Sequence, residues 1–155
     1  MVTQRTELGF AAEKIAGEFL EKRGYVILAR NYRKPWGEID IVCEKEGILV
    51  FIEVKASKTA TVGFEPELRA DWDKMAKVRR TAETFLAAKK YDSGQEWQLD
   101  VIAVSFDKEK GAAKIKHFKE GEKKYSKAWK PYKGFEIDCG IKKLSPFEES
   151  TLEII

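Results

Sequence analysis

The chain has 155 residues, with 29 Lys and Arg against 26 Asp and Glu, one histidine and two cysteines. That length suits one domain with a real core, and the longest apolar run, Ile48 to Val54, is far short of a membrane span. A single histidine, His117, excludes two-histidine ribonuclease chemistry, histidine-rich metal sites and zinc-deaminase sites, and no GxxxxGK, GxGxxG or GxSxG motif is present. Carboxylates and lysines remain as the chemistry-bearing residues. The N-terminus, Met1-Val2-Thr3-Gln4-Arg5, is polar, so a cytoplasmic protein without a membrane partner is expected. Cys43 and Cys139 lack metal-ligand spacing and are expected to be reduced, buried thiols.

In chain order, Leu8, Ala12, Ile15, Phe19 and Leu20 recur at helical spacing and predict a helix over Glu7–Arg23. Thr6 can cap it and Gly24 can end it. Glu13 lies beside this seam among Gly9, Ala16 and Gly17, either on a solvated flank or where a ligand can approach closely. Tyr25 to Asn31 reads as a strand, with Arg30, Arg33 and Lys34 clustered after it. Ile39 to Val42 and Ile48 to Val54 are β-branched and apolar, and read as two strands of a hairpin. Ser57 to Pro66 reads as a loop.

Met75, Val78, Ala82, Phe85 and Leu86 stripe a long helix over about Arg69–Lys90, whose other faces carry Lys74, Lys77, Arg79 and Arg80. Trp97–Phe106 and Ala112–Phe118 read as paired strands, with Asp100 inside the earlier one as a structural residue or a support for a site. His117 reads as structural or surface. Phe135, Ile137, Cys139 and Ile141 alternate with polar residues in a half-buried strand, and Ser145-Pro146-Phe147-Glu148 opens a last helix with a capping box. Lys108 to Lys133 holds ten lysines against three glutamates, whereas Gly134 to Ile155 holds five acids against two lysines. A basic body with an acidic tail fits a polyanionic partner, though solvated lysine explains any one stretch equally well.

The hairpin carries the most informative residues. If Glu46-Gly47 is a two-residue turn, residue 45 pairs with 48, Asp40 falls opposite Glu53, and Glu38 falls opposite Lys55. Opposed carboxylates about 4.5 Å apart repel by roughly 3–4 kcal/mol at an effective dielectric near 20. A divalent cation removes that repulsion, and hard oxygen ligands suit magnesium. The plain alternative is a solvated face on which Glu38 pairs with Lys55. The flanking apolar runs argue for a central strand instead.

Glu13, Gly37-Glu38-Ile39-Asp40 and Phe51-Ile52-Glu53-Val54-Lys55 together resemble the PD-(D/E)xK nuclease superfamily. They resemble most its YraN-like branch of uncharacterised bacterial proteins, related in fold to archaeal Holliday-junction resolvases. Asn31-Tyr32-Arg33, the helix residues Lys74, Lys77, Val78, Ala82, Phe85 and Leu86, and Leu99-Asp100-Val101-Ile102 match as well, so the likeness runs over about Glu7 to Phe118.

The resemblance implies an α/β, restriction-endonuclease-like core over 1–120, with a central mixed sheet of four or five strands flanked by helices. Residues 121–155 would be an extension packed on the core or on a second subunit of a homodimer. It also implies that Asp40 and Glu53 bind Mg2+ or Mn2+, that Glu13 completes the site with Glu38 as a possible support, and that Lys55 assists the attacking water. Arg33, Lys74 and Lys77 are expected to hold phosphates of a nucleic acid, DNA in the first instance. Ser57 stands where the branch usually carries arginine, and the tail after about residue 120 exceeds the usual member. The function expected is a metal-dependent endonuclease. The alternative is a non-catalytic nucleic-acid-binding or scaffold protein on the same fold.

Overall fold

The computed structural model describes residues 4–58, 72–120 and 135–154. Its elements are helix α1 (Gln4–Lys22), strands β1 (Val26–Lys34), β2 (Gly37–Lys45) and β3 (Ile48–Ser57), helix α2 (Trp72–Ala88), strands β4 (Trp97–Asp107), β5 (Ala112–Glu120) and β6 (Phe135–Lys143), and helix α3 (Pro146–Ile154). The strands form one mixed α/β sheet in the order β1-β2-β3-β4-β5-β6, parallel only between β3 and β4. The expectation of four or five strands is corrected to six. The extension adds β6, whose pairing with β5 runs from Ala112↔Lys143 to Glu120↔Phe135. The parallel β3–β4 step requires a crossover, and α2 lies within it. No helix among the described residues is long and apolar enough to cross a membrane.

Each face of the sheet has its own core. Leu8, Ala12, Ile15, Ala16, Phe19 and Leu20 of α1 pack on Ile41, Cys43, Val50, Ile52, Ile102, Val104 and Ile115. Val78, Ala82 and Phe85 of α2 pack on Ile39, Val42, Leu49, Phe51 and Leu99 of the opposite face. β3 feeds both by simple alternation, and so reads as a continuous apolar run.

Helix ends and turns follow local chemistry. α1 begins at Gln4, so Thr6 lies inside its first turn and not at its cap. It ends in a Schellman motif, with Tyr25 N–H donating to Leu20 C=O and Gly24 N–H to Glu21 C=O, each at 3.1 Å. That motif needs a left-handed residue, and Gly24 has φ 86°. α2 ends with the same pair of bonds around Lys90, at φ 58°. Its expected start at Arg69 lies outside the described residues, as do the 59–66 part of the expected loop and the lysines of 121–133. At the hairpin, Glu46 and Gly47 both have positive φ, 53° and 80°, as a type I′ turn requires, and Lys45 pairs with Ile48. Ser145 and Glu148 form the reciprocal capping box, with Ser145 N–H donating to Glu148 Oε2 (2.7 Å) and Glu148 N–H to Ser145 Oγ (3.3 Å).

One expectation about the buried groups changes. Cys43 is buried, but Cys139 is exposed, because it lies on the outer strand β6. Asp100 sits within β4 and meets the fully buried His117 of β5, Nε2 to Oδ2 2.7 Å. Gln98 donates to its other oxygen at 2.9 Å, and the rings of Phe19 and Tyr25 stand edge-on to the imidazole. A buried polar pair is tolerated only while both members are present. Asp100→Ala is therefore expected to destabilise the fold by about 3–5 kcal/mol, measured by urea unfolding. A loss below about 1 kcal/mol would show that the pair is not a structural anchor.

Candidate active site

The site forms where the β2–β3 ladder stops. Its pairs run from Lys45↔Ile48 to Ile41↔Ile52 and no further. Continued pairing would set Asp40 opposite Glu53 and bring Val54 N–H to the Ile39 carbonyl. Instead the Asp40 side chain enters the gap, and its Oδ2 accepts Val54 N–H at 2.7 Å. The hairpin register matches the expectation, but Asp40 and Glu53 meet at a fork between strands and not as a ladder pair.

A slip in the alternation of two strands places Asp40 there. Ile39 and Val42 belong to the α2-side core, whereas Ile41 and Cys43 belong to the α1-side core. Two residues of like parity thus face opposite ways, and Asp40 lies between them. On β1, Ala29 and Tyr32 both join the α2-side core, so that strand slips too. Asn31, at φ 51°, supplies the slip; asparagine tolerates the left-handed region better than most residues. Asn31 and Asp40 fall between the Arg30↔Ile41 and Tyr32↔Ile39 pairs. Gly37 lets the start of β2 approach α2, since a Cβ there would stand 2.7 Å from Thr81 Oγ1 and 3.1 Å from the Lys77 carbonyl.

Four carboxylates converge on this point. With its NH2 turned toward the acids, Asn31 donates to Glu13 Oε2 and Glu38 Oε1, each at 3.2 Å. Burial, followed by repulsion from Glu13, Glu53 and Glu38, raises the Asp40 pKa to about 7, against the lowering effect of Val54 N–H. Burial and repulsion from Glu38 also raise Glu13, opposed by hydrogen bonds with Asn31 and Asp40 and by the Arg33 charge. Glu53 is only 5% exposed. Its Oε1 is ion-paired with Lys74 Nζ of α2, while its Oε2 is buried without a hydrogen-bond partner among the described residues.

The remaining expected residues are placed as follows. Strand alternation sets Lys55, half-buried, on the face of Glu53, and no ion pair joins it to a described residue. Glu38 pairs with Arg33 (3.4 Å) and not with Lys55. Arg33 and Lys74 thus lie against site carboxylates, and Lys77 is exposed on α2. The gap at Gly17 beside Glu13 is filled by the Arg30 guanidinium, 2.6 Å from where a Cβ would stand. Asn31 is the site residue that residue-by-residue reading did not assign. Its signal was an asparagine interrupting an apolar strand.

The donor set fits a hard divalent ion. It offers a buried carboxylate oxygen with no hydrogen-bond partner among the described residues and a second carboxylate whose pKa burial and neighbouring acids raise to about 7. Among the described residues no three His, Cys, Asp or Glu side chains form a coordination cluster. An ion here would draw on Asp40 and Glu53, and a magnesium ion ordinarily takes one or two carboxylates together with waters and phosphate.

The Asp40 shift has a defined sign. Its folded pKa stands above the ordinary ~3.9. The protonated form therefore contributes stability that is full below about pH 4 and is lost as pH rises through about 7. In chelator, Asp40→Asn should flatten that loss and stabilise the protein at about pH 8 by on the order of 1–2 kcal/mol, or about 2–8 °C in Tm. Thermal melts across this range check it, and a variant melting below wild type at the alkaline end would contradict the crowding described.

The family model described as "Uncharacterised protein family UPF0102" matches residues 12–104, which include Glu13, Asp40, Glu53 and Lys55. A UPF0102 protein of Roseiflexus castenholzii is 38% identical over 117 residues, covering 76% of this chain and 94% of the relative. One of Desulfosudis oleivorans is 41% identical over 107 residues, covering 67% and 83%. One of Desulforamulus reducens is 38% identical over 120 residues, covering 77% and 98%. The matched segment ends within β4, leaving β5, β6 and α3 outside it. The chain belongs to UPF0102, the YraN-like family that its acid–acid–lysine motif resembles.

Proposed function

We propose that the protein is a metal-dependent endonuclease that hydrolyses phosphodiester bonds of nucleic acid, DNA in the first instance. The observation that carries this reading is the fork at Asp40. There the ladder opens, and the carboxylates of Glu13, Asp40 and Glu53 gather, with one buried Glu53 oxygen unpartnered among the described residues. Asp40 and Glu53 would hold Mg2+ or Mn2+, which when bound lowers the pKa of a water and offsets charge growing on the phosphorane. Glu13, tied to Asn31 and hydrogen-bonded to Asp40, fixes the Asp40 carboxylate from the α1 side. Lys55, on the face of Glu53, orients the attacking water and stabilises the charge it develops. Arg33, Lys74 and Lys77 rim the site with positive charge suited to backbone phosphates.

The Lys74–Glu53 ion pair favours a second reading. A lysine of the chain already neutralises one site acid, as suits a non-catalytic nucleic-acid-binding or scaffold protein.

Cleavage and binding assays separate the two. Junction, flap, duplex and single-stranded DNA and RNA are offered with magnesium and with manganese. An enzyme should cut at least one of them. Lys55→Ala and Asp40→Asn should abolish cutting yet leave affinity within about tenfold, or roughly 1.4 kcal/mol, because remote phosphate contacts supply most of the binding. Calorimetry should also show manganese binding to wild type and not to Asp40→Asn. Folded wild type that binds manganese and leaves every substrate uncut would transfer the assignment to the scaffold reading.

A further inference from the structure

Lys74 stands where α2 would ordinarily carry an apolar residue. Val78, Ala82 and Phe85 form the sheet-facing stripe of the helix, and Lys74 lies one turn before Val78 on the same side. The docking of α2 fixes what that side meets. A Cβ at Gly37 would stand 3.1 Å from the Lys77 carbonyl, so the start of β2 lies against the helix at this turn. The Lys74 ammonium is thereby brought onto Glu53 Oε1 of β3.

The two partners differ in how firmly they are held. Glu53 is buried on a strand that stays paired with β4 as far as Ser57. The Lys74 side chain is 52% exposed, and its flexible stem can carry the ammonium into water. The Arg33–Glu38 pair is of another kind, since both of its members are exposed. Lys74 is thus the cation that sits on a buried acid of the site, and it is able to leave.

We infer that Lys74 is a counter-ion built into the site, which competes with the divalent ion for Glu53. The competition rests on the metal site proposed above and adds a control on its occupancy. A carboxylate buried without a countercharge is costly, and Lys74 supplies one from within the chain. A divalent ion drawing on Asp40 and Glu53 would set a double positive charge beside the ammonium, in a region from which water is largely excluded. Lys74 must then swing outward, and by linkage its presence lowers the affinity of the site for the ion. The lysine therefore sets how much metal is needed before the site fills. Its release also turns it toward the phosphate contact proposed above.

Manganese calorimetry without nucleic acid tests this on the full chain. Lys74→Met removes the charge and keeps the stem, Lys74→Gln also keeps a hydrogen-bond donor, and Lys74→Arg keeps the charge. The two neutral variants should bind manganese about tenfold more tightly than wild type, and Lys74→Arg within about threefold of it. A merely structural lysine predicts the opposite, because loosening the site weakens its hold on a metal. In chelator, Lys74→Met should melt below wild type, since Glu53 loses its countercharge, and saturating manganese should close that gap. On wild type itself, brief acetylation read by peptide mass spectrometry should label Lys74 more heavily with saturating manganese and Lys77 equally with and without it. Neutral variants that bind manganese no more tightly than wild type, or Lys74 labelling indifferent to the ion, would overturn the competition and leave the metal site standing. Manganese bound by neither wild type nor the neutral variants would remove the metal site, and the competition with it.

Discussion

The hydrogen bond from Val54 N–H to Asp40 Oδ2 is the interaction on which the site depends. Two neighbouring strands cannot part inside a protein without stranding backbone groups, and each buried orphan costs about 1–3 kcal/mol. Here a side chain takes the place of the missing carbonyl. The ladder can then stop at Ile41↔Ile52 while β3 continues alongside β4 to Ser57↔Ser105. The same carboxylate that ends the pairing is thereby fixed between the two helical layers, where Glu13 of α1 and Glu53, tied to α2, can both act on it. Aspartate suits this position because its short side chain holds an acceptor close to the backbone.

The arrangement is costly as a piece of folding and coherent as a site. Several acids share one small region, and the protein offsets their repulsion piecemeal. Asn31 donates to Glu13 and Glu38, Arg33 pairs with Glu38, Lys74 pairs with Glu53, and Asp40 holds a proton near neutral pH. Glu53 Oε2 has no hydrogen-bond partner among the described residues. The left-handed Asn31 adds strain of about 1–3 kcal/mol. Local choices of this kind conflict with plain sheet building, and such conflicts cluster at functional sites.

Much of this was legible in the chain. The hairpin register followed from a two-residue turn and a period of two, and the helical stripes of α1 and α2 were read from apolar spacing alone. What escaped sequence reading depends on tertiary context. Ile39-Asp40-Ile41 looks like ordinary alternation, and nothing local shows that its two isoleucines face opposite cores. Lys74 reads as a surface lysine until α2 is docked, because a long flexible side chain reveals its partner only through packing. The sixth strand and the exposure of Cys139 turn on which strand ends the sheet, a question of topology that periodicity does not address.

Two acids on central strands show where pattern alone fails. Ile52-Glu53-Val54 and Leu99-Asp100-Val101 are equivalent as text, each a carboxylate among β-branched and apolar neighbours, and both residues are buried. Their surroundings separate them. Each Asp100 side-chain oxygen has a neutral or titratable partner within the fold, Gln98 and His117, beneath aromatic rings. Glu53 has one oxygen paired with the half-exposed Lys74 and the other without a hydrogen-bond partner among the described residues. A buried carboxylate satisfied by its own fold needs no further ligand. One left half-satisfied beside other acids is the place where the proposed divalent cation would supply the missing interaction.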